Sequence, residues 1–550
     1  MPSGAMDRFS DSGLGMFFHC GLYTLLGGNE NAVRSTTSKA DYRKLIDRFA
    51  LPGFDADAWV ACARSMEARF VLPTARHAEG FCLWDSKLTR FTSTRSPCKR
   101  DLIRELSEAC ARQQMQLGLY FNFETWLNEG DDLWNERGMS YFEFITGQLT
   151  ELLTNYGPIG VVWFDHGHDE LTPERMADIV DLIKRLQPDC LVNNRSNIPM
   201  AQRKHDYVSA ERVIPARHPL NRDILIECCD SMGVKSWGYH AQESFWSTSE
   251  LAKRVSRCAA NGYVYLLNVE PTPDGTIHPE CLVRARGLGA WVRDQRPALK
   301  AGRSAILPLD PNQQQEPAIG VATCDGTTLH LHLHEWPVAD ELLVRADGTP
   351  RAVRLQGAPH AQLTCTCDPR GLLVRHLPDL PPGGHAPWIV AIELAQAPVP
   401  RPSPAALRMQ APASGEAVFL SPLDAILDGP AEFGGVASHL NHFPDGRVSV
   451  GLLHREGESL AWRVTLPAAQ AYEVFASFGT VSDQLNGEFE LECGPSRIAG
   501  RTWPSEHYSK PLNKRIGRLQ LVAGENRIVF RVTRAHFSDV HGLSLVPATA

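Results

Sequence analysis

Through the first half of the chain, hydrophobic positions follow two alternating rhythms. Short apolar runs at 15–19, 69–74, 117–122, 160–165, 190–195, 207–211, 235–238 and 264–269 are too brief for helices, which predicts eight strands. Between them apolar residues recur at helical spacing: Trp59, Cys62, Ala63 and Met66; Leu102, Leu106, Ala109 and Cys110; Met176, Ile179, Val180, Ile183 and Leu186. Thr172 and Pro173 add a start signal to the last group, a capping hydroxyl followed by a proline at the first helical position. Strands alternating with helices argue for a parallel sheet, and eight of them predict an α/β domain closed into a (β/α)8-like TIM barrel. From Arg195 to Tyr239 the helical period is missing, so the barrel is expected to be irregular there.

After Trp291 the rhythm changes to strands and turns. "LHLHLHEW" at 329–336 keeps a strict period of two, and its histidines read as an outward strand face beside inward leucines rather than as metal ligands. A proline-rich link, "QAPVPRPSPAAL" at 396–407, precedes a last β-rich region containing "EVFASF", "GEFELECG", "RLQLVAGENRIVFRV" and "LSLVP". The predicted organisation is a barrel over 1–298, a β-sandwich over 299–396, a linker over 397–407 and an all-β, jelly-roll sandwich over 408–550.

Composition removes whole classes of partner. The 550 residues carry a net charge of -8 and a sequence pI near 6.2, which gives no bulk attraction to nucleic acid or to an anionic membrane. The opening "MPSGAMDRFSDSGLGMFFHCG" lacks a basic start followed by an apolar stretch, and a cytoplasmic location is expected. Fourteen cysteines are scattered through helical and strand patterns, so reduced, buried thiols are expected; neither Cys228-Cys229 nor "CTC" at 365–367 has the partner spacing of a zinc site. Neither metal nor cofactor is expected, and a homo-oligomer stays open.

The chemistry is signalled by "GVVWFDHGHDE" at 160–170, where an apolar strand stops on Asp165. In a barrel of this kind reacting groups project from the carboxyl ends of strands. The polar residues that close the predicted strands are His19, His77, Tyr120, Asp165, Arg195 and Glu211, with Trp163 beside them. Two carboxylates, an arginine, two imidazoles and aromatic rings suit an uncharged polyhydroxylated ligand, since rings stack on a sugar face while the polar groups bond its hydroxyls. Two carboxylates across a glycosidic bond have a specific use: one attacks the anomeric carbon while the other protonates the leaving oxygen. His166, His168 and Asp169 read as a loop at the pocket mouth, because Gly167 marks a turn.

Ordered fragments then carry a resemblance. "GMFFHCGLYTLLGGNE", "DADAWV", "LPTARHAEGFCLWDSKLT", "KRDLIREL", "LGLYFNFETW", "GPIGVVWFDHG", "LVNNR", "SWGYH" and "LLNVEPTPDG" resemble glycoside hydrolase family 29, the retaining α-L-fucosidases, over residues 9 to about 280. The resemblance implies a (β/α)8-like barrel followed by a β-sandwich, a carbohydrate-binding-like last domain, and a fucosylated or related glycan as substrate. It makes Asp165 the nucleophile and Glu211, in "DYVSAER", the acid/base, with Glu227 and Glu243 as rivals. His19, Glu30, His77, Tyr120, Trp163, Arg195 and Trp237 fall at positions that contact the sugar or frame its pocket. Departures stand at Cys20 for the family's Trp, at Ala78 and Glu79 for His-Asp, and at Asn31 for Trp; they bring a related L-sugar into question beside fucose. A non-catalytic carbohydrate-binding protein on the same fold is the alternative, and a metal-dependent hydrolase using "DHGHDE" is the third reading.

Overall fold

The computed structural model describes residues 3–548 apart from 125, 128–132, 169, 196–203, 213, 215–224, 305, 313–317, 382–385, 402–416, 421–425, 429–438, 443–447, 452–458, 480–486, 506–510 and 535–538. Residues 402–407 of the proline-rich link therefore lie outside the described residues.

Eight parallel strands form one sheet: β1 (Leu14–Phe18), β2 (Phe70–Arg76), β3 (Gln116–Asn122), β4 (Ile159–Asp165), β5 (Leu191–Val192), β6 (Val208–Glu211), β7 (Ile226–Ser231) and β8 (Val264–Val269). Their order is β5-β4-β3-β2-β1-β8-β7-β6, and a parallel bridge between Asn193 and Tyr207 joins the two ends into a closed barrel. The Asn193 side chain supports the short β5 by accepting from the Phe164 amide and donating to the Phe164 carbonyl.

Alternation sorts the strand residues into two cores. Phe17, Phe70, Leu72, Tyr120, Val161, Trp163, Tyr207, Cys229 and Leu266 fill the barrel, while Met16, Phe18, Val71, Leu119, Val162 and Phe164 pack outward with the helices. A Cβ at Gly15 would lie 2.2 Å from the Phe70 ring, so glycine is what admits that ring to the interior. Phe9, on the helix Ser3–Ser12, packs on Phe70 and Tyr207 and plugs the amino end. The surrounding helices start as their sequences direct: Thr172 accepts from the Arg175 amide, Asp55 from Ala58 and Asp101 from Arg104.

The seventh strand differs from expectation. It is formed by "IECCDS" and not by 235–238, which is a loop whose amides bind carboxylates instead of a neighbouring strand. Among the described residues no helix lies between Arg195 and Tyr239, as the missing period foretold.

Beyond the barrel the sheets are antiparallel. In the first sandwich a sheet of 308–309, 342–344, 371–375 and 364–368 faces a sheet of 350–355, 388–394, 328–333, 320–325 and 302–303. The histidines of "LHLHLHEW" do not face solvent. His332 bonds Thr323, which donates to the Ala298 carbonyl of the barrel, and His334 bonds Ser256 on a barrel helix, so the histidine face is part of the seam between the two domains. Two further sheets, 439–442/448–451/539–547/470–479/512–521 and 426–428/459–466/524–534/488–493/496–501, enclose Trp462, Phe478, Phe489 and Phe530 as the last core. No helix among the described residues is long and apolar enough to cross a membrane.

Candidate active site

Strand β4 is buried along its whole length and ends at Asp165, because His166 takes a left-handed backbone conformation (φ 54°) that the ladder cannot continue. Asp165 thereby leaves the wall at the carboxyl end of the barrel. Its Oδ1 accepts from Arg195 Nε at 2.9 Å and Nη2 at 2.7 Å, and its Oδ2 accepts from the Tyr120 hydroxyl at 2.8 Å. Burial pushes this carboxyl up, but the Arg195 guanidinium, His166 and the Tyr120 hydroxyl outweigh it and hold it at about 2.

Arg195 also reaches Glu211. Its Nη2 lies 2.9 Å from Glu211 Oε2, while Glu211 Oε1 accepts from Trp237 Nε1 at 3.2 Å. One nitrogen thus touches both carboxylates, so the two oxygens can be no farther apart than the sum of 2.7 and 2.9 Å. A bound of this size on the nearest oxygens is compatible with the about 5–5.5 Å carboxyl separation characteristic of retaining glycosidases. The structure brings together every residue singled out for this end of the barrel. A small cavity is lined by His19, Glu30, His77, Tyr120, Trp163, Asp165, Arg195, Glu211 and Trp237, joined by Phe17 and His166.

The remaining polar groups have assigned directions. Asn268 donates to Ser231 and to the Trp237 carbonyl, so its Oδ1 must accept from His19 Nδ1 at 2.8 Å, leaving His19 Nε2 as an acceptor. Burial, with His77 alongside, pushes His19 down to about 3 and keeps it neutral. Glu30 Oε2 accepts from the Ser236 hydroxyl and the Trp237 and Gly238 amides; burial opposes its charge, but the Ser236 hydroxyl and its own backbone amide lower its carboxyl overall. His77 stacks on Tyr120, Tyr120 on Trp163, and the Arg195 guanidinium lies over Trp163. Phe17 meets His19, Tyr120, Trp163 and Trp237 edge-on as the floor of the group.

The two rival carboxylates lie elsewhere. Glu227 is fully buried one layer below, where it accepts from Trp163 Nε1 at 2.8 Å and the Ser209 hydroxyl at 2.9 Å, and burial pushes it up to about 7. Glu243 stands outside the cavity lining and binds the amides of 234–236. Of the sequence departures, Cys20 and Ala78 are buried and do not line the cavity, and Glu79 sits 3.4 Å from His77 Nδ1; the side chain of Asn31 lies outside the described residues. Phe17 and Asn268 were not singled out; the alternation of "GMFFHC" placed Phe17 on the same face as His19, while nothing local marked Asn268. Among the described residues no three His, Cys, Asp or Glu side chains come together as a metal site.

A parallel eight-stranded barrel whose carboxyl end holds two carboxylates against one arginine, inside a ring of aromatic and imidazole groups, defines a glycoside hydrolase. The chain belongs to the α-L-fucosidase family, whose model matches residues 3–296. Tissue α-L-fucosidase of Rattus norvegicus is 24% identical over 409 residues, spanning 68% of this chain and 86% of that protein. The crystal structure of α-L-fucosidase from Vibrio sp. strain EJY3 covers 100% of this chain and 98% of its own, with a TM-score of 0.65 and 20% identity. A GH29 α-L-fucosidase from Bacteroides thetaiotaomicron, described as a trapped covalent intermediate in complex with 2-fluoro-fucosyl fluoride, covers 72% of this chain and 96% of its own at 24% identity and a TM-score of 0.60.

Proposed function

We propose that the protein removes terminal α-linked L-fucose, or a closely related L-sugar, from a glycan with retention of configuration, using Asp165 as nucleophile and Glu211 as acid/base. The observation that carries this reading is the single guanidinium nitrogen shared by Asp165 and Glu211, which keeps the two carboxylates close together on the cavity wall, as a retaining pair requires.

In the first step Asp165 attacks the anomeric carbon as the bond to the leaving oxygen breaks, and Glu211 gives that oxygen its proton. In the second, Glu211 takes a proton from water, the water oxygen bonds the anomeric carbon, and the Asp165 ester bond breaks. A carboxyl held at about 2 stays ionised for the attack and departs readily in the second step. Neutral His19 offers an acceptor nitrogen to one sugar hydroxyl, and Glu30 offers a carboxylate to others. Trp163 and Trp237 supply ring surface.

The test is turnover of a panel of aryl glycosides, with the anomer of the first product followed by NMR. Release of α-L-fucose as the first anomer is expected; the β anomer would refute retention, and no turnover of any L-sugar would refute the function. Glu211→Ala should slow substrates with poor leaving groups far more than activated ones, and equal losses would pass the acid role to another group.

A further inference from the structure

The loop that replaced the expected seventh strand is held in an unusual way. Glu243 Oε1 accepts from the amides of Val234 at 3.0 Å and Lys235 at 2.9 Å, and its Oε2 from the amide of Ser236 at 3.1 Å. Glu30 Oε2 accepts from the amides of Trp237 at 3.1 Å and Gly238 at 3.4 Å, and from the Ser236 hydroxyl at 2.6 Å. Five consecutive backbone N–H groups therefore reach two carboxylates, one on the cavity wall and one outside it, and that of Val234 is shared with the Ser244 carbonyl at 2.9 Å. A strand would have given its amides to a neighbour; here two anions fold the chain around themselves, and charge-assisted bonds of this kind are stronger than neutral ones.

What the loop carries is Trp237. Its ring stacks on His19 at a centroid distance of 5.2 Å, its Nε1 donates to Glu211, and its carbonyl accepts from Asn268, the residue that orients His19. Arg212 lies over the other part of the arrangement, 4.7 Å from the Trp237 ring centroid, and reaches the Ser236 carbonyl at 3.4 Å. A side chain at Gly233, the residue before the loop, would run first into the Glu270 carboxyl and then into that of Glu243, so the hairpin is packed tightly on both groups.

We propose that Glu243 is a positioning residue: by fixing the amides of 234–236 it sets Trp237, and through the Trp237 indole it sets the orientation in which Glu211 delivers its proton. This rests on the reading of Glu211 as acid/base. Glu243→Gln keeps the size of the side chain but cannot accept at both ends, so a donor faces the amide of one of the residues 234–236.

Two measurements on the full-length protein test it. Amide hydrogen exchange should speed up by about tenfold or more at 234–238 in Glu243→Gln, with β4 and β8 unchanged, as expected for local opening. In a leaving-group series the same variant should lose about tenfold in kcat on poor leaving groups while activated aryl substrates and KM move less than about twofold, the pattern of a lost transition-state interaction. Unchanged protection at 234–238, or equal losses across the series, overturns the proposal. Trp237→Phe keeps an aromatic side chain on the loop but removes the indole N–H bond to Glu211 together with part of the ring surface on His19 and Arg212; it should steepen the leaving-group dependence with exchange at 234–236 unaltered, and a flat response there overturns the proposal whatever Glu243→Gln does. If Glu211→Ala itself shows no leaving-group dependence, the acid/base reading fails, while the exchange result still reports on what Glu243 holds.

Discussion

Asp165, at the carboxyl end of β4, and Glu270, just past the end of β8, are both buried carboxylates, yet the fold treats them oppositely. Asp165 is held at about 2 and Glu270 is pushed up to about 9. Burial acts the same way on each. Asp165 meets a guanidinium and a hydroxyl that donate directly to it, whereas Glu270 faces the Glu243 carboxylate, and the His240 amide and the Arg212 guanidinium recover too little. Glu227 falls between them at about 7, with the neutral donors Trp163 and Ser209 in contact and Arg195 only as a more remote charge. Position in a barrel confers no role on a carboxyl; the charge of its partner does, and of these three only Asp165 is both ionised at neutral pH and open to the cavity.

The comparison can be broken most severely at Asp165 itself. Asp165→Gly should lose on the order of 10³-fold or more in turnover, and added azide should restore part of it with an activated aryl fucoside. Near-normal turnover without azide would remove Asp165 from the mechanism.

Arg195→Leu takes away the counter-charge and should make Asp165 behave more like Glu270. A loss of roughly 10²-fold in kcat/KM is expected, with the acid limb of the pH profile moving up by about one pH unit or more. An acid limb that stays where it is would mean that Tyr120 and His166 hold the charge unaided.

Glu270→Gln should stabilise the protein. Because the folded state holds this proton above its ordinary value of 4.5, Glu270 costs no stability below that pH, costs more as pH rises toward about 9, and a constant amount beyond. The gain should therefore be present at pH 8, on the order of 1 kcal/mol or more and roughly 2–4 °C of melting temperature per kcal/mol, and should fade toward pH 4.5. A gain independent of pH would show that packing and not the proton is responsible.

The smallest effect is expected at Glu227→Gln. Its window runs only from 4.5 to about 7, so melting temperatures of variant and parent should converge toward pH 4.5 and separate modestly above 7. A large loss of stability instead would mean that the indole and hydroxyl bonds to Glu227 need an anion.

Much of this was legible in the chain. Alternation and helical spacing are local properties, so seven of the eight strands, the cap at Thr172 and the run that ends on Asp165 could be read directly. The misplaced strand shows the limit: 235–238 has the aromatic content of a strand, but its amides are taken by Glu30 and Glu243 from distant and from following positions, and no local pattern announces that. The outward reading of His332 and His334 failed for a related reason. A period of two separates the faces of a strand, but it does not say whether the second face meets water or a barrel helix.

By itself the sequence determined the barrel, the succession of β domains, and the residues that gather at the strand ends, because these follow from period and spacing along one chain. Only the tertiary structure decided which carboxylate is charged, which lies in the cavity and which merely holds a loop. Those properties depend on donors brought from 30, 45 or 206 positions away, as Arg195 and Tyr120 are to Asp165 and Ser236 is to Glu30. Electrostatic energy is set by distance in space and by exclusion of water, and neither is written in the order of residues.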